Sequence, residues 1–231
     1  MASIAIITAR GGSKRIPKKN IKNFLGKPII CYSIEAALKS ECFDEVMVST
    51  DSEEIAEIAR KSGASVPFLR SDKTSNDFST TADVLEEVIH EYEMRGKNYD
   101  SFACIYPTAP FITAGRLKDA FKKFSISEAY SLMTVVRFSF PPQRALVIRD
   151  NLITYQYPEF ALCRSQDLEP IYHDCGQFYI CKTSEFLKEH SMVTKRTVPY
   201  EIPEEEVQDI DNLSDWIIAE SKYKALHNMG R

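Results

Sequence analysis

Hydrophobic positions along the chain fall into two repeating patterns. Short, nearly continuous apolar runs are typical of strands covered on both faces, and they span residues 3–8, 45–50, 101–106, 131–136 and 178–181. Longer segments repeat apolar residues every three or four positions, which predicts helices over residues 28–38, 53–62, 80–96, 116–124 and 213–226. This alternation predicts an α/β fold with helices layered on a mainly parallel sheet.

The pattern changes between residues 138 and 171. Four prolines interrupt short strand-like pieces at 146–148 and 152–155, namely Pro141, Pro142, Pro158 and Pro170. The sheet pattern then resumes, so we interpret this segment as a small subdomain inserted into one domain that spans residues 1–231. A chain of 231 residues with 44% hydrophobic residues is long enough to bury one full core.

Composition excludes several classes of function. A net charge of −4 does not favour general nucleic-acid binding, so a site for a polyanion needs a local concentration of cations. No apolar run approaches the roughly 20 residues of a membrane helix, and none resembles a signal peptide. We therefore expect a soluble, cytoplasmic protein without a membrane partner. The six cysteines form no C-x-x-C pair and the four histidines no H-E-x-x-H motif, which favours reduced core thiols over a zinc site.

A basic loop, residues 9–20, follows the first strand. It holds five cations within ten positions: Arg10, Lys14, Arg15, Lys18 and Lys19. Gly11 and Gly12 allow backbone amides to approach an anion, and open α/β sheets bind ligands at the carboxyl ends of their strands. The loop matches neither the Walker motif nor G-x-G-x-x-G. It therefore predicts a triphosphate site of another kind, although a solvated basic loop is the alternative.

An acidic pair, Asp209 and Asp211, precedes the last predicted helix. In an extended segment the side chains at i and i+2 point to the same side, so both carboxylates could bind one Mg²⁺. The alternative is that Asp211 or Asn212 only caps the helix that follows.

Both motifs resemble one family. The stretch I-I-T-A-R-G-G-S-K-R-I-P-K-K-N, residues 6–20, is similar to the N-terminal signature of the CMP-sugar synthetases, the cytidylyltransferases of sialic-acid-like sugars. The chain departs from that signature at Thr8, where the family usually has proline. The resemblance implies a Rossmann-like, three-layer nucleotidyltransferase fold and a loop that wraps the CTP phosphates. The loop residues expected to bind CTP are Ala9, Arg10, Gly11, Gly12, Ser13, Lys14, Lys19 and Asn20. The D-I-D segment resembles the family's metal-binding motif.

Further segments resemble the base and sugar sites of the same family. Arg70 and Thr81 lie in segments similar to its cytosine-recognition region, where a surface ion pair and a helix cap are the alternatives. Y-P-T-A-P-F, residues 106–111, corresponds to the family's Q-P-T-S-P-L-R and makes Tyr106 and Thr108 candidate sugar contacts. The substitution of Tyr106 for glutamine fits a sugar other than ordinary sialic acid.

The inserted region and the strand after it supply the other candidate sugar contacts. These are Gln143, Arg144, Arg164 and Asp174, and either arginine could pair with the sugar carboxylate, with surface salt bridges as the alternative. Y-H-D-C-G-Q-F-Y, residues 172–179, takes the place of the family's N-G-A-I-Y segment and looks most like the pseudaminic acid branch. A Cys–His nucleophile within it is not favoured, because no orienting partner is identifiable.

The resemblance implies a magnesium-dependent enzyme that joins CMP from CTP to an acidic nine-carbon 2-keto sugar. Pseudaminic acid is the expected substrate, with N-acetylneuraminic and legionaminic acids as alternatives. Arg10, Lys14, Lys19 and Asp211 are the expected catalytic residues, and no side chain stands out as a general base. The family uses the inserted region for dimerisation, which implies a homodimer. A D-x-D glycosyltransferase and a non-catalytic nucleotide-binding module are the rival interpretations.

Overall fold

The computed structural model describes residues 2–227. The strands are β1 Ser3–Thr8, β2 Asn23–Phe24, β3 Lys27–Pro28, β4 Glu45–Ser49, β5 Ser101–Ile105, β6 Ser131–Arg137, β7 Leu146–Arg149, β8 Leu152–Tyr155, β9 Tyr172–Lys182 and β10 Thr197–Glu201. The helices are α1 Ile30–Ser40, α2 Glu53–Lys61, α3 Asp72–Ser75, α4 Thr81–Met94, α5 Ala114–Ile126, α6 Thr183–Glu189 and α7 Leu213–Leu226.

The central sheet has six strands in the order β10-β6-β9-β5-β1-β4. β9 runs antiparallel to both of its neighbours, and the other neighbouring pairs are parallel. The prediction of a mainly parallel sheet is therefore confirmed. β9 begins six residues before the predicted apolar run. The sequence missed its first part because Tyr172, His173 and Asp174 are exposed and give no apolar pattern.

Helices cover both faces of this sheet. Ala5 and Ile7 of β1 pack into one core with buried residues of α1, α2 and α5. Ile4 and Ile6 point to the opposite face and pack against α4 and α6. Alternate residues of a strand face opposite sides, so a continuous apolar run is what two covered faces require. The predicted three-layer α/β architecture is confirmed.

Several element boundaries follow from local chemistry. The Ser52 side chain accepts a hydrogen bond from the Ile55 amide at the start of α2, as the sequence predicts. The helix predicted from Pro28 begins instead at Ile30, because Lys27 and Pro28 pair with β2. Five elements escaped prediction: the two-residue strands β2 and β3, the helices α3 and α6, and the strand β10. The edge strand β10 contains Pro199, and an edge position tolerates a residue without an N–H group.

The segment of residues 138–171 stands apart from the central sheet. Its β7 and β8 pair only with each other, as an antiparallel hairpin. Large apolar side chains of this hairpin and the turn after it are exposed, including Ile148 at 73% and Leu162 at 99%. Within residues 2–227, no helix combines the length and the apolar character needed to cross a membrane.

Candidate active site

A cleft of about 560 Å³, the main cleft, lies where β1 and β5 end. The basic loop forms one wall, and the loop of residues 70–81 forms the other. The predicted residues that line this cleft are Arg10, Gly12, Ser13, Lys14, Lys19, Asn20, Arg70, Thr81, Tyr106, Thr108 and Asp211. Side chains from four distant parts of the chain therefore converge on one cavity.

The basic loop meets the acidic pair inside this cleft. The Lys19 ammonium donates a hydrogen bond to the carbonyl oxygen of Ile210, 191 residues along the chain, at 2.6 Å, and it lies 4.0 Å from an Asp211 carboxylate oxygen. Arg15 pairs with the same Asp211 oxygen at 2.7 Å. Burial lowers the pKa of Lys19, while the carboxylates of Asp211 and Asp209 act in the opposite direction. The sequence motifs did not single out Arg15, because a run of cations does not reveal which member faces an acid.

The two aspartates face neighbouring cavities. Asp211 lines the main cleft, whereas Asp209 lines a side cleft of about 350 Å³ together with Asp174. Burial raises the pKa of Asp209, and the nearby Asp211 carboxylate raises it further. The helix cap is Asn212, whose side chain accepts hydrogen bonds from the amides of Ser214 and Asp215. Capping therefore does not occupy the Asp211 carboxylate.

Two of the cations in the cleft bind a carboxylate that the sequence motifs did not identify. Arg10 and Lys14 each contact one oxygen of Asp77, at 2.8 and 2.5 Å. Asp77 belongs to an exposed polar stretch, S-N-D-F-S, whose pattern carries no structural signal. Only the fold shows that this stretch reaches the basic loop.

The backbone of the basic loop departs from expectation at two residues. Ala9 is fully buried, and its amide donates to the Ser49 carbonyl at 2.9 Å. The Gly11 amide donates to Asp51 at 2.7 Å, and a Cβ on Gly11 would lie 3.1 Å from the Ser52 Cβ. Glycine at position 11 therefore allows close contact with α2 rather than with an anion, which corrects the expectation that both residues face CTP.

Asn20 and Gly12 both line the main cleft. The Asn20 side chain is buried and donates to the Arg10 carbonyl at 2.9 Å, which ties the two ends of the basic loop together. A Cβ on Gly12 would meet no atom within 4 Å, so this part of the loop is open. Asn20 thus shapes the loop, whereas Gly12 offers accessible backbone.

Arg70 is buried at the base of the cleft. Its guanidinium donates to the Ser49 hydroxyl at 3.1 Å and to the Ser49 carbonyl at 2.7 Å. Burial lowers the pKa of Arg70, an effect that the Asp51 and Glu87 carboxylates oppose. The alternative of a surface ion pair does not describe this residue. Thr80 caps α4, so Thr81 is free of that role.

Tyr106 and Asp174 are connected through Tyr179. The rings of Tyr106 and Tyr179 lie 5.7 Å apart between centroids, and the Tyr179 hydroxyl donates to the Asp174 carboxylate. Asp174 also accepts from the Gly176 amide at 2.8 Å. This contact runs from the main cleft to the side cleft. Cys175 is buried and burial raises its pKa to about 11, which disfavours a thiolate nucleophile there.

The predicted sugar contacts of the inserted region lie elsewhere. Gln143 donates to the Glu169 carbonyl at 2.8 Å, Arg144 to the Ser165 hydroxyl at 3.2 Å, and Arg164 pairs with Asp167 at 2.7 Å. Among the described residues, these three line neither the main cleft nor the side cleft. The structure therefore does not bring them together with Tyr106, Thr108 and Asp174.

Comparison with known proteins gives a consistent result. A family profile described as cytidylyltransferase matches residues 4–225. The chain is 41% identical over 228 residues to a pseudaminic acid cytidylyltransferase of Campylobacter jejuni, covering 98% of each protein. It is 34% identical over 229 residues to a CMP-N,N'-diacetyllegionaminic acid synthase of Legionella pneumophila, covering 95% of each.

A solved structure shares the fold. The CTP complex of CMP:2-keto-3-deoxy-manno-octonic acid synthetase superposes with a TM-score of 0.71 at 17% identity, covering 99% of this chain and 100% of that one. This similarity supports the architecture, and the sequence matches define the relationship. The chain belongs to the cytidylyltransferase family, as the motifs of its first loop and its D-I-D segment indicated.

Proposed function

We propose that this enzyme transfers CMP from CTP to an acidic nine-carbon 2-keto sugar and releases pyrophosphate. The observation that carries the proposal is the contact of Lys19 with the Ile210 carbonyl and the Asp211 carboxylate, which joins the cationic loop to the acidic segment, with Asp211 at the main cleft and Asp209 at the side cleft. A cleft of both charges suits a triphosphate and its counter-ion. The anomeric hydroxyl of the sugar would attack the α-phosphorus, forming an oxygen–phosphorus bond as the bond to pyrophosphate breaks.

The cations of the main cleft are suited to the phosphates. We assign Arg10, Lys14 and Lys19 to the phosphates of CTP, with Gly12 and Ser13 supplying polar contacts from the loop. A triphosphate carries about four negative charges, and each charge-assisted hydrogen bond contributes about 1.5–3 kcal/mol. These groups would also offset charge on the departing pyrophosphate. Catalysis of this kind depends mainly on positioning and electrostatics.

Arg70 and Thr81 are suited to the cytosine base. Hydrogen bonds to Ser49 hold the Arg70 guanidinium in place at the base of the cleft. Thr81 occupies the first turn of α4 on the same wall. A buried donor with a fixed direction discriminates between base edges because a mismatched base would leave it unpaired.

Members of this family typically use a divalent metal ion. The donor chemistry suits Mg²⁺, because Asp209 and Asp211 supply carboxylate oxygens two residues apart in the chain, one at the main cleft and one at the side cleft. Among residues 2–227, no group of three or more His, Cys, Asp or Glu side chains is placed to bind a metal, so phosphate oxygens and water would complete the coordination. A bound ion would polarise the phosphate oxygens and offset their charge.

The sugar acid fits the side cleft and its junction with the main cleft. Tyr106 and Thr108 lie at the main cleft, and Asp174 and Asp209 line the side cleft, so a sugar between them would approach the α-phosphate. Pseudaminic acid is the proposed substrate, since the Campylobacter jejuni protein named for it is 41% identical to this chain. The legionaminic acid synthase, at 34% identity, makes that sugar the second candidate.

A substrate panel tests this proposal. The protein is incubated with CTP and Mg²⁺ together with pseudaminic, legionaminic or N-acetylneuraminic acid, and pyrophosphate release and CMP-sugar formation are measured. We expect the highest kcat/KM with pseudaminic acid. Preference for another sugar would refute the substrate, and absence of pyrophosphate with every sugar would refute the synthetase assignment.

We also propose a homodimer formed through the inserted region. The β7–β8 hairpin exposes Leu146, Ile148, Leu152 and Ile153, more apolar surface than isolated side chains account for. Arg144 and Arg164 lie on this region and away from both clefts. A contact between either arginine and the sugar would therefore require the site of the second subunit.

A further inference from the structure

Asp77 forms ion pairs with two cations of the basic loop at the main cleft. One of its carboxylate oxygens contacts Arg10 Nη1 at 2.8 Å, and the other contacts Lys14 Nζ at 2.5 Å. A phosphate group can likewise contact two cations through two oxygens bonded to the same atom. The carboxylate therefore binds the same two side chains that a triphosphate in this cleft would use.

The loop that carries Asp77 is anchored at both ends. At its start, Glu87 accepts hydrogen bonds from the Ser71 amide at 2.7 Å and the Ser71 hydroxyl at 2.9 Å. At its end, Thr80 and Asp83 form the capping box of α4. Because the hydrogen bonds at both ends of the loop do not involve Asp77, the loop can release Arg10 and Lys14 and stay attached to α4.

The tip of the loop is also held in shape. The Asn76 side chain accepts from the amides of Phe78 at 2.8 Å and Ser79 at 3.1 Å and donates to the Lys73 carbonyl at 2.7 Å. Asp77 lies inside this turn, so its carboxylate is presented to the basic loop by local structure. This distinguishes it from a long, mobile side chain that meets a cation on the surface.

We infer that Asp77 is a displaceable counter-ion that competes with the polyphosphate of the nucleotide for Arg10 and Lys14. The inference rests on the proposed function, because it assumes that these two cations bind CTP. A single carboxylate carries one charge against about four on a triphosphate, so CTP can expel it, at the cost of the two ion pairs. As pyrophosphate leaves, Asp77 re-forms the pairs and lowers the affinity for that product.

The geometry predicts which ligands are affected. Arg70 bonds to Ser49, whereas among residues 2–227 the ion pairs of Asp77 are with Arg10 and Lys14, the cations assigned to phosphates. Removal of its charge should therefore tighten binding of CTP and of inorganic pyrophosphate, and leave cytidine unchanged. Partly exposed ion pairs of this type are weak, so the expected gain is about 3- to 10-fold in Kd.

The experiment is a calorimetric titration of CTP, inorganic pyrophosphate and cytidine into the full-length protein without sugar. Asp77→Asn and Asp77→Ala are compared with the wild type and with Asp72→Asn. Asp72 is exposed on the same loop and makes no ion pair within the described residues, so its variant removes an equal charge without the contact. Thermal unfolding of each variant verifies that the fold is retained.

We expect both Asp77 variants to bind CTP and pyrophosphate more tightly than the wild type, and pyrophosphate to inhibit turnover more strongly. Unchanged or weaker binding in both variants would overturn the inference, since Asp77 would then position the cations or leave them unaffected. An equal gain in Asp72→Asn would also overturn it, because long-range charge would explain the effect. Failure of the wild type to bind CTP would instead refute the proposed function.

Discussion

Substitution of Lys19 by methionine gives a quantitative test of the cleft. The Lys19 side chain is only 21% exposed, and one of its three N–H groups is used by the Ile210 carbonyl at 2.6 Å. Two donors remain for the phosphates of CTP. Loss of one charge-assisted hydrogen bond of about 1.5–3 kcal/mol corresponds to an increase of about 10- to 150-fold in the KM for CTP.

The neighbouring Lys18 supplies the matched control. Its ammonium pairs with Glu54 at 2.7 Å, and it does not line the main cleft, so Lys18→Met removes the same charge one residue away. Initial rates of pyrophosphate release at varied CTP give kcat and KM, and thermal unfolding separates a binding defect from a loss of the Ile210 contact. A KM for Lys19→Met within about threefold of that for Lys18→Met, about 0.7 kcal/mol, would refute the phosphate role of Lys19.

Three further predictions address the acidic pair, stability and assembly. Asp211→Asn should reduce pyrophosphate release by more than about 100-fold. Circular dichroism should show an intact fold, because Asn212 and not Asp211 caps α7. Near-normal pyrophosphate release would count against the metal assignment. Burial raises the pKa of Glu45, but hydrogen bonds from one lysine, one serine and two tyrosines outweigh it and lower the pKa to about 2. Because the pKa of Glu45 in the folded protein lies below its unfolded value of 4.5, the ionised carboxylate stabilises the fold above pH 4.5, and this stabilisation is lost as the pH falls towards 2. Glu45→Gln should therefore lower the free energy of unfolding by about 2 kcal/mol at pH 7 and by much less at pH 3 in denaturant titrations. Ile153→Asp should convert a dimer to a monomer in light scattering. The control is Ile217→Asp on α7, which should leave the dimer intact, since Ile217 is 64% exposed and Ile153 is 63% exposed. A dimer in both variants would exclude the hairpin as the interface.

The parts of the fold that were predictable are those whose signal is local. The run at residues 3–8 is apolar on both faces, and the structure buries both faces of β1. α7 has the predicted bounds, Leu213–Leu226, and its capping residue Asn212 directly precedes it in the sequence. The short helix α6 was missed since seven residues are too few for a periodic pattern, and tertiary packing of Phe186 stabilises it instead.

The candidate site divides in the same way. The cationic character of the basic loop can be predicted because five cations lie within ten positions of the sequence. Its partners cannot, because Asp77 and Asp211 lie 67 and 196 positions beyond Arg10 and Arg15 and no periodicity relates them. The same limit explains Gly11, whose close neighbour Ser52 belongs to another element. Residue type predicts what a loop can bind, and the fold decides which atoms face it.

If the main cleft binds CTP as proposed, its ion pairs would allow one cavity to bind a highly charged substrate and still release the product. Arg10 and Lys14 are balanced by Asp77, and Arg15 and Lys19 lie against Asp211, so opposite charges within the cleft are paired. On the proposed function, the phosphates of the nucleotide would replace Asp77 beside Arg10 and Lys14, and Asp211 would hold a metal ion in place of its contacts with Arg15 and Lys19. Each replacement breaks a pair that is partly exposed and therefore weak, so binding remains favourable without becoming irreversible. After pyrophosphate forms, the return of the displaced groups would then favour its release.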